Sequence, residues 1–334
     1  MTGVARSPLP ENLKLLWSRE LHTTIEGAAA IVDNTVYVAT ADNGLVALRL
    51  DDGKVRWTFA TVAPITASPL VAYGRVYAGD MSGEFYAVDA STGAKAWSYS
   101  TGAKIVSSAN AADNAVLVGS YDSLLYCLEC DNGDVRWQYS TGGPVNASPC
   151  IADGYVTVAG CDEVIRLIDL KTGEQSAALP AGSNIAATPA ARDGKVVVAT
   201  LAAGVICADT KSLAVLWTYQ TDTGGSVQAS PAFAPDAVII AFRDGAIVCV
   251  DPRDGRQRWT FDAPGRIDSS PVIAGERVFF GCTDGRLYAI RLKDGAKLWS
   301  YSIGSPIVAA PAIGRGILII GSTDGGVYAF GARR

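Results

Sequence analysis

His22, the one histidine of the chain, stands four residues before Glu26. An imidazole near a carboxylate can be oriented and have its pKa raised, so His22, Glu26 and Asp268 are candidates for general acid and base. A solvent-exposed turn histidine is the competing reading. A single histidine also excludes a multi-histidine metal site. Seven cysteines offer thiols, and Cys127 and Cys130 have a Cys-x-x-Cys spacing. In a strand, residues i and i+3 face opposite sides, and no second pair is in register, so neither zinc nor any other metal is expected. Cys127, Cys207 and Cys249 fill the slot that holds Ala47, Ala87, Ala289 and Ala329 elsewhere, which makes them small core residues. Cys161 lies in a turn beside Asp162 and Glu163, with no cation to activate its thiol.

Those residues are placed by a repeat of about forty residues. Trp17, Trp57, Trp97 and Trp137 are evenly spaced, the next slot holds Ala177, and Trp217, Trp259 and Trp299 follow. The clearest copy runs from Ile65 to Ser100. It reads as four strands divided by Tyr73-Gly74, Ser82-Gly83 and Thr92-Gly93, where glycine supplies the positive φ of tight turns. One four-stranded antiparallel sheet cannot cover both of its apolar faces, but copies stacked radially can. First strands beginning at Ile25, Ile65, Ile105, Val145, Ile185, Val227, Ile267 and Ile307 predict an all-β, eight-bladed β-propeller. Its last blade has only three strands of its own before the chain reaches Arg334, and Trp17 stands eight residues before Ile25. The segment Leu13 to Glu20 is therefore expected to supply the missing outer strand and close the ring. The domain reading is an N-terminal tail, 1–12, and a single propeller, 13–334. Two extra residues within Asp222 to Ser226 lengthen one loop between blades.

Composition agrees: 49% of residues are hydrophobic, 18% charged, and 35 are glycine, a balance suited to many short buried strands. The net charge of -5 is spread without basic runs, which argues against a nucleic-acid partner. No segment has the apolar length of a signal-peptide core or a membrane span. An odd number of cysteines makes a full disulfide framework unsuitable. A monomeric cytoplasmic protein is expected, removal of an export leader being the other reading.

Ala87, Asp89, Thr92, Gly93 and Trp97 form Ala-x-Asp-x-x-Thr-Gly followed four residues later by Trp, with looser copies ending at Trp259 and Trp299. In this motif the chain resembles the pyrroloquinoline-quinone-like repeat family, which includes quinoprotein dehydrogenases and BamB-type assembly lipoproteins. The resemblance implies the propeller fold and blade docking. It carries over no quinone site, because the family's dehydrogenases have adjacent cysteines and this sequence has none. No cofactor is therefore expected.

Beside the repeating residues, one slot diversifies. The residue after each first-strand Ile or Val reads Glu26, Thr66, Val106, Asn146, Ala186, Gln228, Asp268 and Val308, and two positions later the residues are mostly Ala or Ser. Neighbouring loops add Lys104, Asn184 and Arg266, and turns between second and third strands add Met81, Tyr121 and Arg243. Such loops share one propeller face, so the mouth of the funnel is expected to be polar and asymmetric, as a binding site is. Drift of solvated loop residues is the alternative. The leading functional reading is a non-catalytic scaffold for a protein or small ligand at this mouth. The alternative is a cofactor-independent cyclase, lyase or hydrolase using His22, Glu26 and Asp268, and quinone-dependent oxidation ranks behind both. In blade 4, Ala177 replaces tryptophan and Arg166 replaces the tyrosine of other copies, which suggests either a docking edge or tolerated decay.

Overall fold

The computed structural model describes residues 2–42, 44–202, 204–221 and 225–332. Short apolar runs punctuated by turns form eight four-stranded antiparallel sheets, arranged as the blades of a propeller. Blade 2 is typical, with strands Leu70–Ala72, Arg75–Gly79, Glu84–Asp89 and Lys95–Ser100 paired in sequence order. Its second and third strands are almost wholly buried, while the fourth mixes buried and exposed positions. That follows from stacking: each middle strand is covered on both faces by neighbouring blades and so reads as a continuous apolar run. Among the described residues, no helix is long and apolar enough to cross a membrane.

The ring closes as the tryptophan phase requires. Lys14–Glu20 is the outer strand of blade 8, antiparallel to Gly326–Gly331, with Lys14 opposite Gly331 and Glu20 opposite Gly326. A bulge between Leu15 and Trp17 absorbs one register shift. The lengthened loop between blades 5 and 6 falls largely on residues 222–224, outside the described residues.

Blades are fastened at their outer edges by tryptophan. The Trp97 ring lies so close over Gly133 that a β-carbon there would sit 2.7 Å from it. Gly133 has φ +80, and the indole Nε1 donates to Cys130 O at 2.9 Å. Only glycine satisfies both the backbone angle and the contact. The same arrangement joins Trp57 to Gly93 and Trp217 to Gly255.

Both departures in blade 4 have structural partners. Where Ala177 leaves no indole, the facing turn of blade 5 carries Leu213 instead of glycine, held at φ 56 and buried in the cluster that includes Ala177. The leucine side chain fills the place of the missing ring. Tyr86 and Tyr126 donate their hydroxyls to Asp80 and Asp122 at 2.9 and 2.8 Å, and Arg166 in the equivalent slot forms an ion pair with Asp162. The blade 4 features are thus compensated packing.

Residues 2–12 trace a path from the channel to the rim. Thr2 to Ala5 lie inside the ring along the innermost strands of blades 6 and 7, with a parallel bridge between Val4 and Ile273. Farther out, the Gly316 N–H donates to Ser7 Oγ at 2.8 Å, and Arg277 donates to Leu9 O at 2.8 Å and Glu11 O at 3.3 Å. The chain then enters the outer strand of blade 8.

Candidate functional site

Two loop sets build the upper face. The linker into each blade pairs with that blade's turn between second and third strands: Tyr121 N–H donates to Lys104 O at 3.0 Å, Arg243 N–H to Ser226 O at 2.9 Å and Thr283 N–H to Arg266 O at 3.0 Å. Because each strand is short, these loops bring side chains from distant parts of the sequence to one rim. Lys104 Nζ lies 4.3 Å from the centre of the Tyr121 ring, a cation–π contact. With its amide nitrogen turned inward, Asn184 donates to Cys161 O and Glu163 Oε1, both at 3.1 Å.

Below the rim, the channel holds a cavity of about 580 Å³ whose lining includes Glu26, Thr66, Asn146 and Asp268. These four are the sequence candidates that the structure brings together. His22, Lys104, Tyr121, Asn184, Gln228, Arg243 and Arg266 do not line it. His22 is exposed, with φ 56 in the linker ahead of blade 1. Among the described residues, no hydrogen bond or ion pair joins it to Glu26.

The charges in this region are unequal in freedom. Arg243 Nε reaches Asp268 Oδ1 and Arg266 Nε reaches Oδ2, each at 2.8 Å. With its side chain only 15% exposed, Asp268 is a bridge between blades 6 and 7. Both of its oxygens are thus engaged by guanidinium groups. Glu26 is exposed and has no such partner among the described residues.

A feature the sequence reading left without a role is a belt of hydroxyls. Ala28 N–H donates to Ser68 Oγ, Ser68 N–H to Ser108 Oγ and Ser108 N–H to Ser148 Oγ, at 2.9 to 3.0 Å. The belt resumes as Thr188 N–H to Ser230 Oγ at 3.0 Å and Ser230 N–H to Ser270 Oγ at 2.9 Å. Innermost strands lack a sheet partner on the channel side, and these hydroxyls satisfy main-chain donors that would otherwise face the lumen. The signal was the serine two positions after five of the eight diversified residues.

The thiols have no place in the cavity. Cys127 and Cys130 pack into different inter-blade clusters, as their strand spacing implies. Burial pushes Cys127, Cys207 and Cys249 up to about 12. The dehydrogenases of the resembled family carry vicinal cysteines over their quinone; the thiols here lie between blades and do not form that arrangement.

Comparison with known proteins agrees with this architecture. The family described as "Beta-alanine-activating enzyme, beta-propeller" matches residues 65–333, and the one described as "Outer membrane protein assembly factor BamB" matches residues 10–112. No curated protein sequence gives a significant match. Among solved structures, BamB from Moraxella catarrhalis is 20% identical with a TM-score of 0.83, covering 97% of this chain and 98% of its own. The computationally designed Ika8 protein is 18% identical with a TM-score of 0.86, over 95% of this chain and 99% of its own. Quinohemoprotein alcohol dehydrogenase from Comamonas testosteroni is 15% identical with a TM-score of 0.85, over 100% of this chain and 79% of its own. At these identities the solved structures speak for the fold alone. The family match extends through seven of the eight blades, so the chain belongs to the β-propeller family of the β-alanine-activating enzyme, built from pyrroloquinoline-quinone-like repeats.

Proposed function

We propose that this propeller is a binding module, whose protein or small-molecule partner seats at the upper mouth of the channel. The observation that carries the reading is the contrast between two adjacent layers. The hydroxyl belt recurs at five of the eight blade junctions with the same donor–acceptor geometry, whereas the layer beside it varies from Glu26 through Thr66 and Asn146 to the Asp268 bridge. A layer needed only for packing would repeat as the belt does. A cavity of about 580 Å³ with a few convergent polar groups has the size and character of a ligand site. The BamB family name, an assembly factor, supports a scaffold role by analogy. The acid–base alternative gains less support, because Asp268 is bound on both oxygens and His22 stands outside the cavity lining.

Native mass spectrometry of the purified protein is the first test, followed by alanine substitution. Glu26→Ala and Thr66→Ala are expected to change stability by less than about 0.5 kcal/mol while weakening binding at least tenfold. Asp268→Ala should be costlier, about 1 to 3 kcal/mol, since it strands two arginines. Full binding by the Glu26 and Thr66 variants would move the site elsewhere.

A further inference from the structure

The segment Thr2–Ala5 is held in the channel largely through its main chain. Phe233 N–H donates to Thr2 O at 2.7 Å, Ile273 N–H donates to Gly3 O at 2.8 Å, and Ala5 N–H donates to Ile273 O at 2.8 Å. Phe233 and Ile273 belong to the innermost strands of blades 6 and 7, each of which is the edge of its sheet. An extended segment added to a sheet edge is the β-augmentation mode of peptide recognition, in which main-chain bonds give affinity and a few side-chain pockets give selectivity. Both pockets are visible. Gly3 has φ +62, and a β-carbon there would lie 2.8 Å from Ala232 Cα, so this position accepts glycine alone. Val4 packs against the apolar cluster containing Ala232 and Ile273. The segment enters no four-stranded blade, whereas the closing strand from Lys14 onward has a full ladder. It can therefore leave without opening the ring.

We propose that the inner edge of blades 6 and 7 is a receptor site for an extended peptide bearing glycine followed by a β-branched apolar residue and a small residue, which Thr2–Ala5 occupies in cis and a partner's segment takes in trans. The inference rests on the binding reading above and narrows the partner to a peptide. A tethered segment acts at a high effective concentration, so the resident residues hold off trans peptides until they are displaced.

The test uses the full chain and a fluorescent peptide, Thr-Gly-Val-Ala-Arg-Ser. Gly3→Val should eject the resident segment, speed hydrogen exchange at the Phe233 and Ile273 amides at least tenfold, and allow the peptide to bind at least tenfold more tightly than it binds the native chain. Bound peptide should restore slow exchange at both amides, and a peptide with valine in place of its glycine should not bind. Should Gly3→Val fail to fold, Val4→Asp, which removes only the apolar anchor, is expected to give the same release. Unchanged protection in the released variants, or equal binding of the two peptides, would overturn the proposal. A peptide that fails while ligands still bind at the mouth sinks this inference alone, and loss of both sinks the binding reading as well.

Discussion

Arg166 occupies a slot in which Tyr86 and Tyr126 donate a neutral hydrogen bond to aspartate. Its own partner, Asp162, has a side chain only 8% exposed, so the pair is largely dehydrated. Removing one member of such a pair leaves an uncompensated charge. Arg166→Ala is expected to cost about 3 to 5 kcal/mol in denaturant unfolding, and Arg166→Tyr much less, because it restores the hydroxyl seen in the other blades. Aspartates of the outer turns behave differently. Asp89 accepts from the hydroxyls and amides of Ser91 and Thr92, which lower its pKa to about 2. Asp169 and Asp209 are lowered by equivalent turn contacts. A depressed folded-state pKa gives stability that is present above the unfolded value of about 4 and is lost as pH falls through the folded value. Thermal melts followed by circular dichroism should hold a constant midpoint from pH 7 to about 5, then decline between about pH 4 and 2. A midpoint unchanged at pH 2 would exclude these carboxylates from acid stability. The turn residues were legible from Asp-x-x-Thr-Gly. The arginine's partner was not, since the sequence shows the loss of a tyrosine but not what a neighbouring carboxylate does about it.

At the scale of the strand and turn, tryptophan and glycine form a lock shared by adjacent blades. Spacing alone located the blades, because every tryptophan serves the same outer strand position. It did not connect Ala177 with Leu213, which become neighbours only when blade 4 is laid against blade 5. Leu213 accepts an unfavourable φ of 56, costing about 1 to 2 kcal/mol, to fill the space of an absent indole. Ala177→Trp alone should clash with it and destabilise by about 1 to 3 kcal/mol. Leu213→Gly alone should empty the site and cost about 2 to 5 kcal/mol, less the relieved backbone strain. Together they rebuild the lock of the other blades, so the double variant should be more stable than either single one. A double-mutant cycle from chemical denaturation measures this, and additive losses would refute the compensation. The hydroxyl belt escaped the sequence reading for a related reason: periodicity marks which residues repeat, but not that their hydroxyls point across to the next blade.

Over the whole molecule, the N-terminal strand is what turns a curved stack into a ring. Without residues 1–20, Gly326–Gly331 becomes an exposed edge and Gly53 loses the Trp17 ring that covers it. At roughly 25 cal/mol per Å² of apolar surface, loss of that indole alone costs several kcal/mol. The truncated chain is expected to melt well below the full one, and equal melting temperatures would contradict closure by this strand. The ring was predictable because the tryptophan phase runs past Arg334 and reappears at Trp17. The path of Thr2–Ala5 was not, because four small residues carry no periodic signal and their partners, Phe233 and Ile273, lie far along the chain.

Closure also sets the order of events on the ribosome. Lys14–Glu20 is made well before its partner, Gly326–Gly331, which lies about 300 residues farther along the chain. At translation speeds of 5 to 20 residues per second, the strand must wait on the order of 15 to 60 s for it. Blades 1 to 7 can each collapse locally as they leave the exit tunnel, since their hairpins need only nearby residues. During that wait Leu15, Leu16 and Trp17 belong to no sheet, so the nascent chain carries an apolar leading strand that invites chaperones or wrong partners. A circular permutant that moves residues 1–20 behind Ala332 would synthesise both halves of the seam together, and its last blade should form without that delay.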